Sequence, residues 1–280
     1  MGDSNETATP VVLAAPPPAL TATAIDMDLL YPDSFWSAGQ FTYSIPTTLS
    51  TWPSYTGDSE ASGAHHFTAL NATQAARFAF ALGVWDSLIT PNFVQTDDAT
   101  SPGNIRVGFS DDLDTTEWGH TYLPAAGGGP ATPHNGDIWI ADRNDATTFE
   151  AGSYDYTALL HELGHAMGLK HPFEDGPTLP TEYDNRRYTV MSYTAQTGEY
   201  AVTFTQTGNT LQGHFVAVEP TTPMVLDIAA VQARYGADPT TAPGDTPTIS
   251  TASRCCGPSM TLPGPIPWTL RSTPTRRTSI

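Results

Sequence analysis

The chain has 280 residues, with 29 acidic and 11 basic side chains and a formal net charge of −18. This charge argues against a nucleic-acid-binding protein, which needs clustered Lys and Arg to neutralise phosphates. It argues equally against a polybasic contact with anionic lipid. Because no run of about 18 apolar residues occurs, the sequence predicts no segment that spans a membrane.

The two ends of the chain differ in composition from the body. Residues 1–36 lack the basic start of a secretory signal and contain a proline run, so we expect a flexible leader. All acidic residues precede residue 246, whereas the last 34 residues carry four arginines and both cysteines. We expect residues 247–280 to be disordered, as either a frameshifted or a naturally divergent tail. Residues 37–246 are then the folded domain.

Apolar periodicity predicts three helices and two strands in the body. In chain order they are a helix at 71–89, strands at 105–109 and 137–141, and helices at 154–168 and 224–235. Asn71 and Gln74 resemble a capping box, Ser153 is placed as an N-cap, and Gly236 is placed to end the last helix. This order of elements predicts an α+β domain.

One short segment carries the chemistry. His161 and His165 are four residues apart, so on a helix both imidazoles project from one face and suit two ligands of one tetrahedral Zn²⁺. Gly168 can adopt a positive φ and reverse the chain, which lets His171 return as a third ligand. Glu162 lies at the rim of the same face, where it can act as a general base without binding the metal. Three imidazoles with one open position predict a catalytic zinc site.

The other side chains that could bind a metal lack such a pattern. For the remaining histidines we expect solvated or core positions: His65, His66, His120, His134 and His214. The acidic group Asp111, Asp112 and Asp114 offers oxygen ligands for Ca²⁺, but a solvated loop is the favoured interpretation.

The histidine motif resembles that of the metzincin zinc endopeptidases, in which His-Glu-x-x-His-x-x-Gly-x-x-His is followed by a Met-turn. Met191 would be the methionine of that turn. Pro172 after the third histidine, together with the segments Tyr188–Tyr193 and Leu226–Ala237, is similar to the serralysin family. The resemblance extends over residues 41–246. It implies a metzincin fold: a twisted, mostly parallel sheet with an antiparallel edge strand, an active-site helix and a C-terminal helix.

The resemblance also implies an activity. It indicates a zinc-dependent endopeptidase that hydrolyses extracellular proteins, with Glu162 as general base. Tyr193 would be a fifth zinc ligand that moves to hydrogen-bond the substrate carbonyl. The substrate main chain would pair with an edge strand near Asp137–Ala141. We further expect a secreted monomer that acts on proteins or peptides, without nucleic-acid or membrane partners, and Ca²⁺ is a possible second cofactor of the family.

The chain departs from the serralysin pattern after the body. It contains no Gly-Gly-x-Gly-x-Asp repeat of the kind that binds Ca²⁺ in a β-roll, and no acidic-apolar export signal at its C-terminus. The alternative function is therefore a non-catalytic or poorly folding zinc-binding remnant of a truncated serralysin. The complete set of site residues favours the enzyme, because a remnant has no reason to keep Glu162.

Overall fold

The structure is a computed structural model. It describes Leu30 and residues 33–37, 41–48, 52, 55–56, 59–62, 65–129, 131–174, 176–196, 200–207 and 210–240. Most of the predicted leader and the whole predicted tail at 247–280 lie outside the described residues.

Three α-helices follow the predicted helices closely: α1 (Ala72–Asp86), α2 (Tyr154–Ala166) and α3 (Val225–Tyr235). The capping box is confirmed, since Asn71 accepts from the backbone of Gln74 and the Gln74 side chain accepts from the backbone of Asn71. The Ser153 side chain caps α2 by accepting from a backbone N–H. Gly236, with φ of 80°, follows α3 as predicted. Among the described residues, no helix has the length and apolar character required to cross a membrane.

Eight strands complete the described fold. They are β1 (Thr42–Tyr43), β2 (Phe67–Thr68), β3 (Val94–Gln95), β4 (Arg106–Ser110), β5 (Gly119–Thr121), β6 (Asp137–Ala141), β7 (Tyr200–Thr207) and β8 (Thr210–Ala217). The central sheet has the order β2-β4-β6-β5, in which β4 and β6 are parallel and the two outer strands are antiparallel to their neighbours. The parallel pair β1-β3 joins β4 through a parallel bridge between Tyr43 and Ile105. The architecture is therefore mixed α+β with a mostly parallel sheet and three helices.

The strand β6 lies inside the sheet, and the prediction that it forms an edge is wrong. It pairs with β4 on one side and with β5 on the other. Ile138 and Ile140 face the main core, whereas Trp139 and Ala141 face a smaller cluster with Trp52. The strand β6 is thus paired along both edges and buried on both faces, as is typical of an interior strand. The short strand β5 is the outer one of this pair.

The helix α2, which carries His161 and His165, lies against the outer end of this sheet. α2 packs on β5, on β6 and on α1. Its apolar side chains, including Leu159, Leu160 and Leu163, share one core with Phe109 of β4 and Ile140 of β6. This packing fixes α2 across the outer strand, so residues of β5 on the helix side of the sheet can contact α2.

The strands β7 and β8 form a hairpin that the sequence analysis did not predict. They pair antiparallel from Tyr200–Ala217 to Thr207–Thr210. Five large apolar side chains of this hairpin are exposed: Tyr200, Val202, Phe204, Leu211 and Phe215. Alternation of apolar residues from Tyr200 to Phe204 is a strand signal, and its apolar face is directed to solvent rather than to the core.

Candidate active site

Three histidines meet as the motif predicts. His161 and His165 lie on α2, and Gly168 directly after the helix has φ of 94°. This left-handed residue turns the chain so that His171 faces the two helical histidines. Nε2 of His171 lies 3.0 Å from Nε2 of His161 and 3.0 Å from Nε2 of His165. Three ring nitrogens therefore converge on one point.

The other nitrogen of each ring faces an oxygen. Nδ1 of His161 is 2.8 Å from the carbonyl oxygen of Val190, and Nδ1 of His165 is 2.8 Å from that of Leu169. Nδ1 of His171 is 2.6 Å from Oε1 of Glu174. In His161 and His165, an Nδ1–H that donates to these carbonyl oxygens leaves the lone pair on Nε2, which is the arrangement of metal-ligating histidines. The contact of His171 with Glu174 is close but does not have the alignment of a hydrogen bond.

Burial favours the neutral form of the two helical histidines. It lowers the pKa of His161 to about 3, with a further contribution from His171. It also lowers the pKa of His165 well below its ordinary value, helped by His161 and His171. Neutral imidazoles are the ligands that Zn²⁺ requires. Within the described residues, these three histidines form the one group of three or more His, Cys, Asp or Glu side chains arranged to hold a metal ion. The donor set fits Zn²⁺.

The carboxylate next to the histidines is also buried. Glu162 is 5% exposed, and its Oε2 accepts a hydrogen bond of 2.7 Å from Oγ1 of Thr121 on β5. Burial raises the pKa of Glu162 to about 7, although the Thr121 hydrogen bond and His120 oppose this change. A carboxylate with a pKa near neutrality is suited to accept and return a proton.

Tyr193 lies beside the histidines at the surface. Its ring centroid is 4.7 Å from that of His171 and 5.6 Å from that of His161, and the residue is 65% exposed. Its carbonyl oxygen accepts from Nη1 of Arg186, whose guanidinium also pairs with Glu219. Desolvation, with a contribution from Glu162, raises the pKa of Tyr193 to about 12. Its role as a fifth ligand stays a prediction.

The turn that contains Met191 is fixed by a buried carboxylate. Met191 is fully buried. Asp227 at the start of α3 accepts from the Thr189 hydroxyl at 2.6 Å and from the backbone N–H of Val190 at 2.8 Å. It also accepts from the backbone N–H of Met224 at 2.8 Å. Asp227 therefore links α3 to the turn whose Val190 carbonyl faces His161.

Sequence reasoning missed four residues that support the site. These are Thr121, Glu174, Arg186 and Asp227. Asp227 stands in the segment Leu226–Ala237, which gave a predicted helix and part of the family resemblance but no role for Asp227 itself. A Glu three residues after a histidine ligand is a usable signal for Glu174. The contact of Thr121 depends on how β5 crosses α2 and has no local signal.

Three of the other histidines lie beside carboxylates. Asp111 lies 2.9 Å from His66 and 3.2 Å from His65, and Asp112 lies 3.0 Å from His65. His120, predicted to be solvated or in the core, is paired with Glu60 at 2.8 Å. These contacts occupy Asp111 and Asp112 and lend no support to calcium binding there.

Comparison with known proteins agrees with this geometry. Residues 64–196 match the matrixin model of peptidase family M10. Serralysin A of Dickeya chrysanthemi is 32% identical over 188 residues, which are 64% of this chain and 36% of that protein. A metallopeptidase AprA of Pseudomonas marginalis is 29% identical over 195 residues, covering 66% of this chain and 38% of the relative. Serralysin of Proteus mirabilis is 38% identical over 121 residues, which are 40% of this chain and 22% of that protein.

Residues 64–196 therefore match peptidase family M10, and the chain is similar to serralysins over about two thirds of its length. Its aligned part spans a little over a third of the length of Serralysin A and of AprA.

Proposed function

We propose that the protein is a zinc-dependent endopeptidase with a metzincin catalytic domain. The observation that carries this proposal is the convergence of the three Nε2 atoms of His161, His165 and His171, with the buried carboxylate of Glu162 on the same helix. A purely structural zinc site has no use for a carboxylate whose pKa is raised to about 7. The match to family M10 indicates a class of peptidase but not the reaction steps. The steps described below are therefore part of the proposal.

The three histidines would hold Zn²⁺, and Tyr193 is proposed as the additional ligand that its neighbouring position allows. When bound, Zn²⁺ supplies Lewis acidity, which polarises the scissile carbonyl and makes water a proton donor near neutral pH. The Nδ1 contacts of the histidines to Val190 and Leu169 keep each Nε2 as the donor atom.

The protein side chains would move the protons. Glu162 accepts the proton of the attacking water and then delivers it to the leaving amine, a cycle that matches its raised pKa. The protonated phenol of Tyr193 donates to the carbonyl oxygen of the substrate as negative charge develops there.

The substrate would lie along β5 rather than β6. The N–H of Tyr122 and the carbonyl of Trp118 bond to β6, at Asp137 and Ala141 respectively. Because main-chain groups alternate in direction along a strand, those of Gly119 and Thr121 point away from β6. An extended peptide can pair with them by strand addition, which suits an enzyme that reads main chain.

The remaining expectations stay part of the proposal. We propose protein or peptide substrates, a monomer, and a location outside the cell, all from the family resemblance. Ca²⁺ is proposed only as a family cofactor, with no site assigned in this chain. The division into a catalytic domain at 37–246 and a separate tail at 247–280 likewise remains a proposal.

The test compares zinc-loaded wild type with Glu162→Gln on casein and on a gelatin gel. We expect Glu162→Gln to lose at least about a hundredfold in rate, because general acid–base catalysis contributes about 10²–10⁴-fold. Glu182→Gln, an exposed substitution, serves as the control. Removal of zinc by a chelator should abolish cleavage and added Zn²⁺ should restore it. A wild type that gains thermal stability from Zn²⁺ but cleaves neither substrate would instead support the remnant.

A further inference from the structure

We propose that Thr121 is a positioning residue that holds the Glu162 carboxylate in place for catalysis. This inference rests on the proposed function and extends it to a residue of the outer strand. The contact that carries it is the 2.7 Å hydrogen bond from Oγ1 of Thr121 to Oε2 of Glu162.

The hydroxyl has one proton to donate and two nearby acceptors. Oγ1 of Thr121 lies 2.7 Å from Oε2 of Glu162 and 3.2 Å from the backbone carbonyl of the same residue. Of these two acceptors, the carboxylate oxygen is the closer. When Glu162 is ionised, a hydrogen bond to its charged oxygen is also the stronger of the two.

The two oxygens of Glu162 have different surroundings. Oε2 is tied to Thr121, whereas Oε1 faces the position of Gly119 on the same strand. A Cβ at Gly119 would stand 3.5 Å from Oε1 and 2.8 Å from the carbonyl oxygen of Trp139. Because Gly119 has no side chain, β5 holds Oε2 by a hydrogen bond and places no side chain of residue 119 against Oε1. This asymmetry leaves Oε1 as the oxygen for proton transfer.

The donor stands on a rigid support. Thr121 is paired with Ile138 of the buried strand β6. Its β-branched side chain has a restricted χ1, which sets the direction of the hydroxyl before the substrate binds. Groups placed on strands and locked by pairing hold a reacting group more accurately than groups on loops. The strand proposed to pair with the substrate is thus also the strand that orients the base.

The kinetic test compares Thr121→Val with Thr121→Ser, both loaded with zinc. Valine keeps the shape and removes the donor, whereas serine keeps the donor. We expect Thr121→Val to lower kcat by about tenfold or more, as for a lost hydrogen bond to a charged group, with KM changed less than twofold. Thr121→Ser should keep most of the activity. The exposed Thr115→Val, in the loop before β5, is the control and should match wild type. Wild-type kcat in Thr121→Val would overturn the inference.

A second measurement does not depend on activity. Crystal structures of wild type and Thr121→Val should show one ordered Glu162 conformer in the former and a displaced or multiple conformer in the latter. The same single conformer in both proteins would also overturn the inference. If zinc-loaded wild type cleaves no peptide, the proposed function fails, and the two crystal structures still decide whether Thr121 positions Glu162.

Discussion

Gly164 of α2 lies directly against the sulfur of Met191. A Cβ built at Gly164 would collide with Sδ of Met191, so the helix and the Met-turn touch where the helix has no side chain. The next residue along the helix is His165, and the carbonyl before Met191, that of Val190, faces Nδ1 of His161. The contact therefore sets the distance between α2 and the turn whose Val190 carbonyl faces His161, one of the three proposed zinc ligands.

Gly164→Ala should destabilise the zinc-loaded protein. Overpacking a close contact costs about 1–3 kcal/mol, which outweighs the roughly 1 kcal/mol by which Ala favours a helix over Gly. The measurement is urea unfolding at a fixed zinc concentration. Gly83→Ala in α1 is the matched control, because its Cβ would meet nothing within 4 Å and should stabilise the protein. Equal gains in both variants would contradict the close contact.

Asp227→Ala should loosen the Met-turn. The carboxylate is fully buried and accepts from Thr189, Val190 and Met224, and its removal leaves these donors without an acceptor. Each unsatisfied buried donor costs about 1–3 kcal/mol, so we expect a loss of several kcal/mol in unfolding free energy. Asp227→Asn keeps one acceptor oxygen and should lose less.

The measurement for Asp227 is chemical unfolding, with zinc affinity as a second readout. Asp145→Asn, an exposed substitution, is the control for the change of charge. Because Asp227 holds Val190, whose carbonyl faces His161, zinc affinity should fall together with stability. An Asp227→Ala variant as stable as wild type would show that the turn does not depend on α3.

Glu174→Gln should weaken zinc binding without unfolding the protein. Oε1 of Glu174 lies 2.6 Å from Nδ1 of His171, and the Glu174 side chain is half-exposed. Loss of such a partner costs about 10–100-fold in metal affinity, and the exposure of Glu174 favours the lower end of this range. Competition with a chelating dye measures the affinity, and Glu182→Gln is the exposed control. An unchanged zinc affinity would remove Glu174 from the support of the site.

Local sequence signals predicted the parts of this structure that depend on neighbours in the chain. Spacing within a few residues was enough to predict the helix caps Asn71 and Ser153. It was also enough to predict that the two histidines of α2 lie on one face. The reversal at Gly168 is equally local, since a positive φ there is what brings His171 back to the helix.

Contacts between distant segments were not predictable in the same way. The bond from Thr121 to Glu162 joins residues 41 positions apart, and that from Val190 to Asp227 joins residues 37 apart. The position of a strand within a sheet is also non-local, which is why β6 was wrongly placed at an edge. Its uninterrupted run from Ile138 to Ala141 is nevertheless typical of a strand buried on both faces.

The pair His120–Glu60 should make stability depend on pH. Nε2 of His120 is 2.8 Å from Oε1 of Glu60, which also accepts from the Tyr122 hydroxyl at 2.7 Å. Burial is the largest single influence and opposes ionisation of both partners. It is outweighed by the sum of their mutual hydrogen bond, the Tyr122 and backbone hydrogen bonds to Glu60, and the nearby charges of Glu162 and Glu117. The pKa of Glu60 is lowered to about 2, and that of His120 is raised above its ordinary value of 6.5. Both partners are therefore charged in the mildly acidic range.

The sign of the effect follows from these two directions. The contribution of His120 is complete below pH 6.5 and is lost as pH rises through its raised pKa, because the unfolded chain releases that proton first. The contribution of Glu60 is complete above its ordinary pKa of 4.5 and is lost as pH falls through about 2. We expect the difference in unfolding free energy between wild type and His120→Gln to be largest between these ordinary pKa values and smaller at alkaline pH. Urea unfolding across that pH range measures it, and a difference independent of pH would show that the pair is not ionic.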